Sequence, residues 1–161
     1  MAPWRSSYAE VCKTFQTGAT PVGASTLLMT DRTYLRWAIE LSERSQEPLG
    51  CGCVIVLDEE VVGEAFNSQR TDEIAVNHAE IKALIVANEE LGSRLLEGAT
   101  AYCSCQPCSM CLSALSFAKV ERIVFAKLMI ELAPDDRLSR MDPYEFVKQL
   151  NFVPKLEQLL L

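Results

Sequence analysis

The chain has 161 residues, 49% of them hydrophobic, with 15 Lys and Arg against 22 Asp and Glu for a formal net charge of −7. That is enough apolar material for one enzyme-sized core without disulfide staples, and the acidic balance disfavours extended nucleic-acid partners, whose phosphates it repels. No apolar run approaches the roughly 20 residues of a membrane helix, and the seven cysteines, mostly at C-x-C or C-x-x-C spacing, suit metal ligation in a reducing compartment better than a secreted disulfide framework, so a soluble, cytoplasmic protein is expected.

Residues 1–30 are rich in Ser, Thr, Ala and Gly, with Arg5 and Lys13 and no signal-peptide core. They are read as an N-terminal extension, a helix or arm that packs on the domain or a partner, ahead of a faint likeness to an organelle transit segment. The domain proper is expected over residues 31–161. From Asp31 to Arg44, the residues Leu35, Ala38, Ile39 and Leu41 recur at helical spacing behind Thr30 or Asp31 as N-cap. Gly50 to Leu57 and Val61 to Phe66 are strand-like runs joined by a turn over residues 58–60, which makes a hairpin. After the polar stretch from Asn67, Asn77 is expected to cap a helix that stops near Gly92, with His78 and Glu80 in its first turn.

Thr100 to Cys105 reads as a strand, and Pro107 as the opening residue of a helix that carries Cys108 and Cys111 in its first turns. Arg122 to Lys127 is the next strand, so strand, helix and strand form a parallel crossover. A helix from Asp142 to Leu150 and a short apolar tail close the chain. The order of elements predicts an α/β fold, a three-layer α-β-α sandwich around a central mixed sheet, with a helical C-terminal tail.

The chemistry concentrates on the one histidine, His78, followed two positions later by Glu80 and thirty later by Cys108-Ser-Met-Cys111. Cysteines three apart on a helix point to one side, so both thiolates reach one tetrahedral Zn²⁺ at roughly 2.3 Å, with His78 as third ligand at about 2.0 Å. Three protein ligands leave one position open for water, whose pKa the metal lowers toward ~7. Glu80, on a short tether beside the metal, is placed to take the water's proton and pass it to a leaving amine. Cys105 also makes C-x-x-C with Cys108, which leaves an alternative register or a fourth ligand open; the preferred reading is a buried small hydrophobe. Cys51 with Cys53 and Cys103 with Cys105 share strand faces, where a second zinc site or a redox pair competes with plain core packing, and packing is preferred.

Asn77-His78-Ala79-Glu80 followed by Pro107-Cys108-Ser109-Met110-Cys111 resembles the zinc-dependent cytidine and deoxycytidylate deaminase superfamily over about residues 31–130. The stretch Thr100 to Leu112 is similar to the branch holding guanine deaminase, cytosine deaminase and tRNA adenosine deaminase. Two departures stand out: Gln106 replaces the Glu that many members carry, and Ile74 to Asn77 replaces the usual Asp-Pro. The resemblance implies zinc as cofactor, a cytidine deaminase-like fold, a homodimer, and substrate contacts at Asn67, which ends the second strand, and at Ala79. The expected activity is zinc-hydroxide attack on a free nucleobase or small nucleoside-like substrate, of guanine or cytosine type, with Glu80 as proton shuttle. The alternatives are a tRNA adenosine or single-strand deaminase, whose phosphate contacts would fall to Lys82, Arg94, Lys119, Arg122 and Lys127, and a catalytically silent zinc-stabilised scaffold.

Overall fold

Alternation along three strands decides the layering. In β1 (Gly52–Leu57), Cys53 and Ile55 face one side of the sheet while Val54 and Val56 face the other. In β3 (Thr100–Cys105), Ala101 and Cys103 oppose Tyr102, and in β4 (Arg122–Lys127), Ile123 and Phe125 oppose Val124 and Ala126. Strands that are apolar on both faces belong to a sheet covered on both sides. Helix α1 (Asp31–Ser42) covers one face with Tyr34, Leu35, Trp37, Ala38 and Leu41. Helices α2 (Ala79–Leu91) and α3 (Ser109–Phe117) cover the other with Ala83, Ala87, Leu112 and Leu115. Full burial of each large apolar side chain contributes about 1.5–3 kcal/mol, so these two cores hold the layers together.

The computed structural model describes residues 29–133 and 141–161; the N-terminal extension, apart from Met29 and Thr30, lies outside the described residues. The sheet has the order β2-β1-β3-β4-β5, with β2 over Glu60–Phe66 and β5 over Lys155–Gln158. β1 pairs antiparallel with β2 and with β3, whereas β3, β4 and β5 run parallel, with α3 as the crossover between β3 and β4. This mixed sheet between helix layers is the α-β-α sandwich expected above. Glycines set how closely the layers approach. A methyl group at Gly52 would collide with the Ala38 carbonyl of α1, and one at Gly63 with the Ala83 carbonyl of α2.

Four boundaries differ from the sequence reading. The hairpin loop has two residues, Asp58 and Glu59, both at positive φ (51° and 68°), the geometry whose twist matches the flanking strands. Helix α2 begins at Ala79 with His78 as its N-cap, because the Asn77 side chain is engaged elsewhere: its Nδ2 donates to Asp72 at 2.8 Å. Helix α3 begins at Ser109 with Cys108 as its N-cap, so Pro107 precedes the helix; the Gln106 N–H bonds the Lys127 carbonyl at 2.7 Å and keeps the chain extended through this point. Among the described residues the C-terminal region holds two short helices, α4 (Met129–Leu132) and α5 (Pro143–Val147), the second capped by Asp142, and the tail closes the sheet as β5. Among the described residues no helix is long and apolar enough to cross a membrane.

A candidate metal centre at two helix starts

Both N-caps have extended backbone, His78 at φ −71°, ψ 153° and Cys108 at φ −73°, ψ 171°, which turns each side chain over the first turn of its own helix. Cys111 follows in the first turn of α3. The Cys108 Sγ lies 3.6 Å from the Cys111 Sγ and 3.7 Å from the His78 Nδ1, and the three donor atoms all fall within 4.8 Å of one another. Ligands roughly 2.0–2.3 Å from a tetrahedral zinc stand about 3.3–3.8 Å apart, so the spacing and the borderline-soft N and S donors fit that ion. Among the described residues no other His, Cys, Asp or Glu joins this set. The Cys105 sulfur is thus not a fourth ligand, and the Cys53 and Cys103 thiols, 3.9 Å apart and buried, belong to the core.

The electrostatics prepare the thiols. Cys108 is held well below the usual thiol range, first by its hydrogen bond with Cys111 and then by His78. Cys111 is pushed up, first by the same hydrogen bond and then by burial, while the neighbouring Cys108 raises the His78 ring. The starts of α2 and α3 add positive potential from their unpaired N–H groups. Glu80, at the second position of α2, is 4% exposed, and its Oε2 lies 3.4 Å from the Cys111 Sγ. Burial raises its carboxyl above the ordinary carboxylate range.

His78, Glu80 and Cys108 line a cavity of about 340 Å³. Asn67 and Ala79 line it too. The Asn67 amide already ties down the hairpin: its Oδ1 accepts from the Cys51 N–H at 2.8 Å and its Nδ2 donates to the Leu49 carbonyl at 2.9 Å. One N–H and one lone pair remain for a ligand. Ala79 is buried, and as the first residue of α2 it presents a backbone N–H without an intrahelical acceptor. Sequence reasoning missed Glu47, Gln69 and Met129 in the cavity wall, since Glu47 and Gln69 lie in irregular segments and Met129 opens the one-turn helix α4, with no period or motif to mark them. Gln106 stood out in the sequence, but only the fold shows what it holds. Its Oε1 accepts from the Met129 N–H at 3.1 Å and its Nε2 donates to the Met141 carbonyl at 3.4 Å, which pins the chain after β4 against the site.

Three of the five cations named as phosphate contacts are already engaged by acids: Lys82 with Asp72 at 3.7 Å, Lys119 with Glu97 at 2.5 Å, and Arg122 with Asp31 at 2.6 Å and Glu157 at 2.7 Å.

Residues 28–127 match the family model of the cytidine and deoxycytidylate deaminase zinc-binding region. The chain belongs to this zinc-dependent deaminase family. Among relatives within it, the tRNA-specific adenosine deaminase of Bacillus subtilis (strain 168) is 34% identical over 97 residues, 59% of this chain and 60% of that protein. The tRNA-specific adenosine deaminase of Agrobacterium fabrum (strain C58) is 36% identical over 102 residues, 60% of this chain and 66% of that protein. The match therefore spans a little under two thirds of these relatives' length. A solved structure from a study of A-to-I editing by tRNA:A34 deaminases superposes with a TM-score of 0.68 at 27% identity, covering 81% of this chain and all of that one. Guanine deaminase from Bacillus subtilis superposes with a TM-score of 0.62 at 29% identity, covering 69% of this chain and 73% of that one. Zinc is the family's metal, and His78, Cys108 and Cys111 are positioned to bind it.

Proposed function

We propose that this chain removes the exocyclic amine of a nucleobase by hydrolysis, and that its substrate is an adenosine presented by transfer RNA. The observation that carries the reaction is the three-donor cluster with the buried Glu80 carboxyl beside it, opening on one cavity. His78, Cys108 and Cys111 hold the metal. Zinc bound there supplies a Lewis acid that lowers the pKa of water toward ~7. Glu80 accepts the proton that water gives up and delivers it to the amine nitrogen as the carbon–nitrogen bond breaks, so that ammonia leaves and a carbonyl replaces it. Because Glu80 is shut away from bulk solvent, the proton stays within the site. The free N–H of Asn67 and the backbone N–H of Ala79 hold the base.

The substrate assignment draws support from the tRNA-specific relatives and from the cavity, whose ~340 Å³ lies at the small end of the ~300–1,000 Å³ of ligand pockets and suits one flipped-out nucleoside. A second reading, a free base of guanine or cytosine type, is favoured by the net charge of −7 and by the ion-paired cations, and the guanine deaminase structure is consistent with it. The free thiols are consistent with action in a reducing cytoplasm, and the exposed Ile74, Val76 and Ile85 with the homodimer expected above, which sedimentation tests.

The deciding experiment is ammonia release by zinc-loaded protein from tRNA transcripts, adenosine, adenine, guanine and cytosine. Inosine formed in tRNA, at a rate that falls with salt, is the expected result. Turnover of free guanine or cytosine with none on tRNA replaces the first reading by the second. Full zinc occupancy with no ammonia from any of them leaves the scaffold.

A further inference from the structure

The cavity carries acceptor oxygens for which deamination has no use. Glu47 lines it with a side chain only 5% exposed, and a carboxylate is costly to bury without partners. Its Oε1 accepts from the backbone N–H of Arg70 at 2.8 Å and more weakly from that of Thr71 at 3.4 Å. Its Oε2 meets no hydrogen-bond donor among the described residues: the Arg70 Nε stands 3.9 Å away, and the Arg70 side chain is 77% exposed. Gln69 lines the same cavity, and its Oε1 is buried with no partner. Glu47 therefore brings to the cavity wall an oxygen that can only accept and that the chain meets with no more than a 3.9 Å ion pair from an exposed arginine, and Gln69 beside it carries a buried amide oxygen with no partner.

We infer that Glu47 is a specificity-determining residue that reads a neutral O–H or N–H donor on the substrate, remote from the amine, with Gln69 as a second acceptor. The inference rests on the deaminase reading of the same cavity and adds what the substrate must offer there. Two parts of a nucleoside-like molecule carry such a donor: the sugar, through its hydroxyls, and a lactam base such as guanine, through its ring N–H. A site built to accept a hydrogen bond rejects the analogue that lacks the donor, because its own buried oxygen is then stranded. Glu47 is also the loop clamp that its Oε1 bonds describe, and the two roles use different oxygens.

Calorimetric binding and ammonia release are measured on zinc-loaded wild-type protein with two analogue pairs, adenosine against 2′-deoxyadenosine and guanine against 1-methylguanine. The donor-bearing member of one pair is expected to bind about tenfold more tightly, the first pair reporting a sugar hydroxyl and the second a ring N–H. Glu47→Gln keeps an oxygen for the Arg70 and Thr71 amides and turns the other terminal atom into a donor. It is expected to bring that ratio toward one while zinc content and melting temperature stay unchanged. A wild-type ratio of one in both pairs overturns the inference, and so does a Glu47→Gln protein that keeps the wild-type ratio. The wild-type comparison stands without the variant. Ammonia release is scored separately from binding, so absence of turnover strikes the deaminase reading while the binding ratios still decide this one.

Discussion

Glu80 and Glu47 are both acids buried in one cavity, yet their surroundings suit them to the opposite roles proposed for them. Glu80 lies against the Cys111 thiol at a helix start, and burial holds its carboxyl above the usual range, so it is poised to gain and lose a proton. Glu47 is held through one oxygen by two backbone N–H groups and has nothing to protonate in the reaction. Glu80→Gln preserves shape and removes the proton acceptor. It is expected to keep full zinc occupancy, read by metal analysis, and to lower kcat by about 10²–10⁴-fold. Glu80 was legible in the sequence because it sits two residues from the single histidine. Glu47 was not, because nothing about a Glu before a Pro says that a loop over twenty residues away will fold onto it.

Elements enter the chemistry through α2 and α3, whose N-caps and first turns carry every proposed metal ligand and the proposed proton carrier. What places α2 is its contact with β2 at Gly63, where only a hydrogen fits under the Ala83 carbonyl. Gly63→Val is expected to lift α2 from the sheet, lowering stability in urea by about 1–3 kcal/mol, with a matching fall in zinc retention on dialysis. The strands and long helices were readable because their apolar periods are local properties of the chain. Helix starts were shifted by one or two residues because a bond within the preceding loop, Asn77 to Asp72, and a tertiary bond, Gln106 to the Lys127 carbonyl, override the capping preferences. β5 was read as a loose apolar tail because four residues, Lys155–Gln158, show no clear period; only their pairing with β4 makes them a strand.

Across the whole molecule, Arg122 on β4 joins the start of α1 to β5 by bonding both Asp31 oxygens, at 2.9 and 2.6 Å, and Glu157 at 2.7 Å; the Tyr102 hydroxyl donates to Asp31 as well. Hydrogen bonding from Arg122 lowers Asp31 from 3.8 to about 2 and Glu157 from 4.5 to about 2. Both acids have the lower pKa in the folded state, so the stabilisation is present above pH ~4.5 and is lost as the pH falls from there toward ~2. The urea midpoint is therefore expected to drop across that window, and Arg122→Leu to flatten the drop while costing about 1–3 kcal/mol at neutral pH. Zinc held by His78, Cys108 and Cys111 would tie the start of α2 to α3 in the same global sense. Chelation is expected to lower the melting temperature and re-addition of zinc to restore it, followed by calorimetry.

The amino-acid sequence by itself determined the family, the layered α/β architecture and the metal set, because H-x-E and C-x-x-C are short-range spacings and an apolar period is written into each segment. The tertiary structure alone decided which side chains wall the cavity, which cations are already paired and how the tail closes the sheet. Those outcomes depend on segments far apart in the chain meeting in space, and no local pattern encodes such a meeting.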